Sequence, residues 1–369
     1  MIPAWKLKRE LLRLGQQLQS IPEALWEPAA QRKHDAAFAA GFKVYQGQQA
    51  QAENIAILLL YQPKGISQST VQTCQHLRSH GYAVFAISNT PLSSQDIALL
   101  QGHCWRIMER PNFGYDFGGY RDGIRQLWHW QVSPQKLLIL NDSIWFPLYE
   151  NCDLLEQLDK AEADMAGCIM RFKGDVQFLE SYCYLIRGAV FASDVFRRYW
   201  QDLKLTSNKY KVIRRGERGH SEALRHAGFQ LRPVYETERF LQALQQQSNA
   251  FLRKNLRYAA YCDLNLRQQR DQLMQGFSDS PEWRQAVFEH IDNALQRGQA
   301  YSSYPYAMTR LFHYPVLKKS NDQVAKLWRI AYLEAVDAGD LEPPAPAMLS
   351  EIRQKVDADR ADGLAEARI

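Results

Sequence analysis

Residues 104–130, CWRIMERPNFGYDFGGYRDGIRQLWHW, contain the succession of elements that decides the fold. The apolar run Cys104–Glu109 predicts a strand, the glycine-rich residues after Pro111 predict a turn, and Tyr120–Trp130 predicts a helix. A strand that leads through a short turn into a helix is one half of a βαβ unit, and such units pair their strands in parallel.

The same alternation continues on both sides of this stretch. Further strands are predicted at Ile55–Leu60, Ala83–Ser88, Leu137–Leu140, Met165–Met170 and Ser181–Val190, with helices at Ser69–Ser79, Gln95–Gln101, Leu154–Ala161, Val195–Leu203 and Ser221–His226. Because several of these strands are apolar without alternation, we expect both faces of the sheet to be covered. The predicted fold class is α/β: a Rossmann-type, mainly parallel sheet flanked by helices, with a helical C-terminal region.

Three segments are predicted along the chain. Residues 1–50 form an N-terminal helical segment, residues 51–240 form the α/β domain, and residues 241–369 form the helical region. Residues 4–19 read as a basic amphipathic helix, for which packing on the body of the protein is favoured over contact with a membrane surface.

The net charge, the cysteine pattern and the apolar runs indicate which partners and which cellular compartment to expect. The net charge of +5 suits a phosphate-bearing substrate or an anionic membrane surface, and is too weak to indicate nucleic acid. The six cysteines include no CxxC pair, which argues against a zinc site or a disulfide framework. Without a signal peptide or a membrane-spanning apolar run, the predicted location is cytoplasmic.

The stretch Pro111–Gly123 is the first candidate site, with four glycines in thirteen positions. Glycine permits positive φ and a close approach of backbone to ligand, and the following helix N-terminus can face a pyrophosphate. Arg121 could add a positive charge. The alternative is a tight strand–helix turn capped by Asp116 or Asp122. The stretch matches neither GxGxxG nor a P-loop, and its mixture of polar and aromatic residues favours a functional site.

Two strand ends offer further candidates, because open α/β sheets bind ligands beyond the carboxyl ends of their strands. Asn89 follows Ala83–Ser88 and could bond a base or ribose, although Asn-Thr-Pro is also an ordinary turn. Asn141–Asp142–Ser143 ends Leu137–Leu140, and Asp142 could hold a divalent cation on a diphosphate or merely cap the next turn.

A fourth candidate lies in the stretch Gly216–Glu222. Glu217 is predicted in a glycine-flanked loop, where a carboxylate could act as general base on an acceptor hydroxyl. The alternative is a charge that complements the next helix N-terminus. His220 could also be a base, but a role as a loop or capping partner is favoured for it.

Together these motifs resemble the rhamnan synthesis F family over about residues 54–335. The matching pieces are Asn112-x-Gly114-x-Asp116 with Arg121–Asp122–Gly123, Leu138–Asp142, Leu179–Leu185, Glu217-x-x-x-Ser221-x-x-Leu224, Ala227–Gly228–Phe229, Tyr304–Pro305–Tyr306 and Tyr314–Lys319. That family contains rhamnosyl- and related glycosyltransferases of bacterial surface polysaccharides, and the order of motifs is similar to that of GT-A glycosyltransferases.

The resemblance implies roles for particular residues. Those expected at the sugar-nucleotide donor are Asn89, Asn112, Gly114, Asp116, Arg121, Asp122 and Asn141. Glu217 would be the catalytic base, Asp142 would stabilise the diphosphate, and His220, Ser221 and Tyr182 would contact or support the acceptor.

One departure from the GT-A pattern concerns the metal. The DxD position reads Asn141–Asp142–Ser143, and a single carboxylate holds Mg²⁺ or Mn²⁺ less firmly than two. Asp142 is the candidate ligand. In a metal-independent reaction, the leaving pyrophosphate could be neutralised instead by Arg110, Arg121, Arg171 or Lys173.

The resulting prediction is a hexosyltransferase that acts by inversion. It would move a hexose, with rhamnose as first candidate, from a nucleoside diphosphate sugar such as dTDP-rhamnose or a GDP-sugar. The acceptor would be a glycan or lipid-linked glycan of a surface polysaccharide or O-antigen, reached by peripheral contact with the inner face of the bacterial membrane.

Two other functions are alternatives to this prediction. A non-catalytic, degenerate transferase that organises a polysaccharide assembly complex is the alternative, because the metal position has only one acid. A nicotinamide dehydrogenase requires a dinucleotide fingerprint after the first strand, which Tyr61–Gly65 does not provide.

Overall fold

The structure, a computed structural model, describes residues 26–361. The predicted helix at residues 4–19 lies outside the described residues. The strands are β1 Lys43–Gln46, β2 Asn54–Leu60, β3 Tyr82–Ser88, β4 Arg106–Glu109, β5 Lys136–Asn141, β6 Ile144–Trp145, β7 Met165–Gly167, β8 Met170–Lys173, β9 Val176–Leu179, β10 Cys183–Arg187, β11 Leu231–Pro233 and β12 Leu317–Lys318.

Helices flank the strands and then dominate the C-terminal part. Residues 26–40 are helical and are labelled α1. The others are α2 Gln68–Ser79, α3 Ser94–His103, α4 Tyr115–His129, α5 Leu154–Lys160, α6 Gly188–Phe191, α7 Asp194–Asp202, α8 Lys209–Val212, a π-helical turn Ile213–Arg218, α9 Gly219–His226, α10 Thr237–Gln245, α11 Asn249–Arg257, α12 Leu264–Gln275, α13 Pro281–Leu295, α14 Ala300–Ser303, α15 Pro305–Phe312, α16 Gln323–Asp337 and α17 Pro346–Asp359.

The main sheet has eight strands in the order β1-β4-β3-β2-β5-β10-β7-β11. The four strands β4, β3, β2 and β5 are parallel, so their carboxyl ends meet at one edge of the sheet. Strand β10 is antiparallel to β5 and therefore begins at that same edge. The predicted fold class is confirmed in its mainly parallel α/β sheet, its flanking helices and its helical C-terminal region.

Helix α4 begins at Tyr115, five residues before the predicted start at Tyr120. Gly118 and Gly119 therefore lie inside the helix rather than in a turn. A Cβ on Gly119 would come within 2.2 Å of Leu59 Cδ1, and one on Gly118 within 2.0 Å of the Phe113 carbonyl oxygen. Close packing onto the sheet and the preceding loop outweighs the low helix propensity of glycine here.

The chain forms two compact units. The first comprises Leu77–Asn141, Ala163–Arg232 and the chain up to Ile66, and it carries the eight-stranded sheet. The second comprises Ser67–His76, Asp142–Glu162 and the chain from Pro233, and it is mainly helical. The boundaries predicted at residues 50 and 240 stay a prediction. None of the helices within residues 26–361 combines the length and apolar character needed to cross a bilayer.

Candidate functional site

Arg110, directly after β4, is the centre of a buried network under the carboxyl edge of the sheet. Its Nε donates to Asp122 Oδ2 at 2.6 Å, and its Nη2 donates to the Phe113 carbonyl oxygen at 2.5 Å. Its Nη1 donates to Asn89 Oδ1, which ties the end of β3 to the same guanidinium. Asp122 has no exposed surface and also bonds His34 Nε2 at 2.8 Å. The Asp122 carboxylate therefore compensates a buried arginine.

Arg121 also points into the protein. Its Nη1 donates to Asp35 Oδ1 at 2.7 Å, and its Nε donates to the Trp200 carbonyl oxygen at 3.1 Å. Although burial acts to raise the pKa of Asp35, hydrogen bonds led by the one from Arg121 lower it to about 2. Arg121 and Asp122 were predicted to contact the donor, but the geometry favours positioning roles. Together with Arg110 they are called the frame.

A second network lies at the edge itself and connects β5, α4 and the start of β10. Asn141, the last residue of β5, donates through Nδ2 to Asp116 Oδ2 at 3.1 Å and to the Tyr120 hydroxyl at 3.0 Å. Tyr120 donates in turn to the Ser181 carbonyl oxygen at 3.0 Å. Asp116 is half-buried, whereas Asn141 is buried. The structure thus brings together two residues that the sequence placed 25 positions apart.

Glu217 is connected to this network through Ser181. Its Oε1 accepts from the Ser181 backbone N–H at 2.9 Å and from the Ser181 hydroxyl at 2.8 Å. Glu217 was predicted in a loop, which is wrong, because it lies in the π-helical turn Ile213–Arg218. A Cβ on Gly216 would come within 2.3 Å of the Phe117 ring, so this turn packs closely on α4. Single π-helical turns are frequent at functional sites.

The carboxylates of Asp116 and Glu217 both affect the pKa of the buried Tyr184 hydroxyl. Burial raises the pKa of Tyr184 well above its usual value, and Glu217 and then Asp116 raise it further. Burial likewise raises the pKa of Tyr120, with Asp116 as the next contributor. Both carboxylates therefore lie near enough to Tyr184 to disfavour its ionisation.

Two of the predicted donor-binding residues, Asn112 and Gly114, lie in the loop before α4. Asn112 is exposed, whereas Gly114 is buried at φ 83°. A side chain at Gly114 would meet Leu205 Cδ2 at 2.9 Å, so packing as well as φ requires glycine. Tyr115 follows with φ 50° and is 40% exposed. Tyr115 was not among the predicted site residues, because a pattern of residue types does not reveal a left-handed tyrosine.

The three residues predicted to contact or support the acceptor are buried. Burial lowers the pKa of His220 to about 3, so its imidazole is neutral at pH 7 and is a weak base. The ring packs among Tyr184, Phe196, Tyr199 and Trp200. Ser221 Oγ accepts from the Leu179 N–H at 3.3 Å, and the Tyr182 carbonyl oxygen accepts from the Asn141 N–H at 3.3 Å. These positions favour support rather than acceptor contact.

Asp142 belongs to the second unit, where it lies near Lys319. The Lys319 N–H donates to the Ser143 carbonyl oxygen at 2.7 Å, next to the pairing of β6 with β12. Its Nζ contacts Ser69 Oγ at 3.2 Å. Burial lowers the pKa of Lys319, and the Asp142 and Glu351 carboxylates act against that shift. Sequence reasoning quoted Lys319 within a motif but gave it no role.

The residues around Asp142 offer few protein ligands for a metal ion. Within residues 26–361 there is no group of three or more histidine, cysteine, aspartate or glutamate side chains suited to a metal ion. Mg²⁺ is commonly held by one or two carboxylates together with substrate phosphates and water, so Asp142 fits as a single protein ligand.

Comparison with known proteins gives the family. Residues 84–257 match the family described as Rhamnan synthesis protein F. Over 339 residues the chain is 30% identical to Uncharacterized protein y4gN of Sinorhizobium fredii (strain NBRC 101917 / NGR234), covering 90% of this chain and 88% of that protein. The chain belongs to the rhamnan synthesis protein F family.

Solved structures similar to this family member include two glycosyltransferases. The mannosyltransferase PcManGT from Pyrobaculum calidifontis, in complex with GDP-Man and Mn²⁺, is 9% identical with a TM-score of 0.31, covering 94% of this chain and 88% of its own. The glycosyltransferase GlyE of Streptococcus pneumoniae TIGR4 is 12% identical with a TM-score of 0.35, covering 80% and 66% respectively.

Proposed function

We propose that this protein is a GT-A-like glycosyltransferase that moves a hexose from a nucleoside diphosphate sugar to a glycan. The observation that supports this most is the hydrogen-bonded edge of the sheet, where Asn141 links Asp116 to Tyr120, and Ser181 links Tyr120 to Glu217. Such an edge, beyond the carboxyl ends of parallel strands, is where open α/β sheets bind their ligands. Membership of a rhamnan synthesis family makes rhamnose the first candidate for the hexose.

The donor nucleotide is assigned to the loops that follow β3 and β4, where Asn89, Asn112 and Gly114 lie. The orientation of the Asn89 amide supports this assignment. A guanidinium only donates hydrogen bonds, so the bond from Arg110 requires Asn89 Oδ1 to face inward. Asn89 Nδ2 then points away from Arg110 and can donate to the base or ribose.

Glu217 is assigned as the general base. The acceptor hydroxyl transfers its proton to the Glu217 carboxylate while its oxygen bonds to the anomeric carbon and the bond from that carbon to the diphosphate oxygen breaks. A direct displacement of this kind inverts the anomeric configuration. The two hydrogen bonds from Ser181 hold Oε1 in place, and Oε2 is the atom that we assign to the acceptor.

Asp142 is assigned to the diphosphate side of the reaction. It would hold Mg²⁺ or Mn²⁺, and the metal would neutralise the charge of the leaving diphosphate. Transfer without a metal is the alternative, because Asp142 supplies only one carboxylate. The acceptor in this proposal is a glycan or lipid-linked glycan of a bacterial surface polysaccharide, met at the inner face of the membrane.

Calorimetric titration of the full chain with nucleoside diphosphates tests this function. The panel is UDP, GDP, dTDP, ADP and CDP, each with and without Mg²⁺ or Mn²⁺, followed by the hexose derivatives of those that bind. We expect saturable binding of at least one nucleotide. If none binds under any of these conditions, the proposed function is wrong and the non-catalytic assembly role is favoured.

A further inference from the structure

Tyr115 has a strained backbone in a loop whose path is fixed. Its φ of 50° follows a φ of 83° at Gly114, so two successive residues are left-handed. Glycine adopts this region easily, but a bulky L-residue does so at a cost in free energy. Strain of this kind persists only where surrounding contacts over-determine the backbone, and it is concentrated at functional sites.

The contacts that fix this backbone come from both sides. Arg110 Nη2 holds the Phe113 carbonyl oxygen at 2.5 Å, and Gly114 lies against Leu205 and the Gly118 backbone. Tyr115 is then the first residue of α4. The strain at Tyr115 is therefore maintained by the frame and the helix, at a side chain that stays 40% exposed.

The Tyr115 side chain is more exposed than its aromatic neighbours in α4. It is 40% exposed, while Phe117, two residues later, is buried and stacked on Trp200 at 5.9 Å between ring centroids. Within residues 26–361 the Tyr115 side chain makes no hydrogen bond, ion pair or ring contact. A large aromatic side chain that is partly exposed and without a polar or ring partner in that range, at a strained position, is better explained by a ligand than by packing.

We propose that Tyr115 is the stacking residue for a hexose ring, an inference that rests on the proposed function. Asp116 is its neighbour in the chain, and Glu217 is joined to Asp116 by the hydrogen bonds of Asn141, Tyr120 and Ser181. These carboxylates accept hydrogen bonds from sugar hydroxyls, and they repel a diphosphate. An aromatic face beside carboxylates therefore suits a neutral sugar, whose C–H face packs on the ring and whose hydroxyls reach the acids.

Saturation-transfer NMR with simple sugars tests this role without any nucleotide. The probes are methyl α-L-rhamnopyranoside, methyl α-D-mannopyranoside and methyl β-D-glucopyranoside, added to wild type, Tyr115→Phe and Tyr115→Gly. We expect saturation to reach the C–H protons of one sugar face in wild type and in Tyr115→Phe. In Tyr115→Gly the affinity should fall about fivefold or more, as the loss of an aromatic contact predicts.

Thermal unfolding separates this role from a structural one. Glycine relieves the left-handed strain, so Tyr115→Gly should melt no lower than wild type while its affinity for the sugars falls. The matched control is Tyr210→Gly in α8, at an exposed tyrosine with ordinary helical geometry. That variant should bind the sugars as wild type does and melt at a lower temperature.

Three results would overturn the inference. They are sugar binding by Tyr115→Gly equal to that of wild type, loss of binding in Tyr115→Phe, and no saturation transfer from wild type to any probe. Calorimetry on Tyr115→Gly adds a fourth, because reduced affinity for a nucleoside diphosphate would place the ring on a nucleobase. Nucleotide binding by wild type is measured separately, so failure at Tyr115 and failure of the proposed transferase are distinguishable.

Discussion

The stretch Pro111–Gly123 and its partners divide into two regions that differ in where their polar groups point. The frame residues Arg110, Arg121 and Asp122 bond inward and are between 0% and 4% exposed. The outward set, here called the rim, comprises Asn112, Tyr115, Asp116 and Glu217, which are exposed or half-buried. Within one polar, glycine-rich motif, some side chains therefore stabilise the structure around the site, and others are placed where a ligand can reach them. Substitutions in the frame should change stability, and those in the rim should change binding or transfer.

The largest effect on stability is expected from Asp122→Ala. It would leave Arg110 buried without its carboxylate, and loss of one partner of a buried ion pair costs about 3–5 kcal/mol. Urea unfolding followed by circular dichroism measures the change in free energy of unfolding. Asp175→Ala, at an exposed position in the turn between β8 and β9, is the control and should change that free energy by less than about 0.5 kcal/mol. Equal changes in the two variants would contradict the stabilising role of the frame.

A smaller loss is expected from Gly118→Ala. The new Cβ would lie 2.0 Å from the Phe113 carbonyl oxygen, a backbone atom that cannot move without shifting the loop, and overpacking of this kind costs about 1–3 kcal/mol. The control is Gly102→Ala in α3, where a Cβ meets nothing within 4 Å. It should stabilise the protein by up to about 1 kcal/mol through helix propensity. If both alanine variants are more stable than wild type, α4 does not pack as closely on the Phe113 carbonyl as described here.

His220→Phe should change how stability depends on pH. In wild type the unfolded imidazole binds a proton below its ordinary pKa of 6.5, whereas the folded one binds it only near pH 3. Stability therefore falls as pH decreases through that window, by up to about 1.4 kcal/mol per pH unit. Phenylalanine should flatten the fall in unfolding experiments between pH 6 and pH 4. An unchanged slope would show that His220 is not buried in its neutral form.

The elements of the first unit could be predicted in order because buried parallel strands are apolar throughout and helices separate them. The predicted strands Ile55–Leu60 and Leu137–Leu140 fall within β2 and β5. The predicted start of α4 was wrong because helix propensity disfavours Gly118 and Gly119, and only tertiary contacts such as that of Gly119 with Leu59 reverse the preference. The edge strand β1 and the hairpin β8–β9 gave no apolar run long enough to detect.

The location of the site could be predicted from the sequence, whereas the orientation of its side chains could not. Strand ends and the glycine-rich stretch located the edge, since the carboxyl ends of parallel strands must meet. Sequence spacing cannot show that Asp122 pairs with Arg110, or that Glu217 lies in a π-helical turn beside Ser181. Those facts depend on partners distant in the chain.

The measurement that tests the account most directly is transfer by Glu217→Gln. With a nucleotide sugar that binds, sugar transfer should fall by about a hundredfold or more, the contribution typical of a general base. Affinity for the nucleoside diphosphate and the melting temperature should stay those of wild type. Glu222→Gln, at a half-buried glutamate in the first turn of α9, is the control and should transfer normally. Wild-type turnover by Glu217→Gln would contradict the assignment of the rim as the catalytic region.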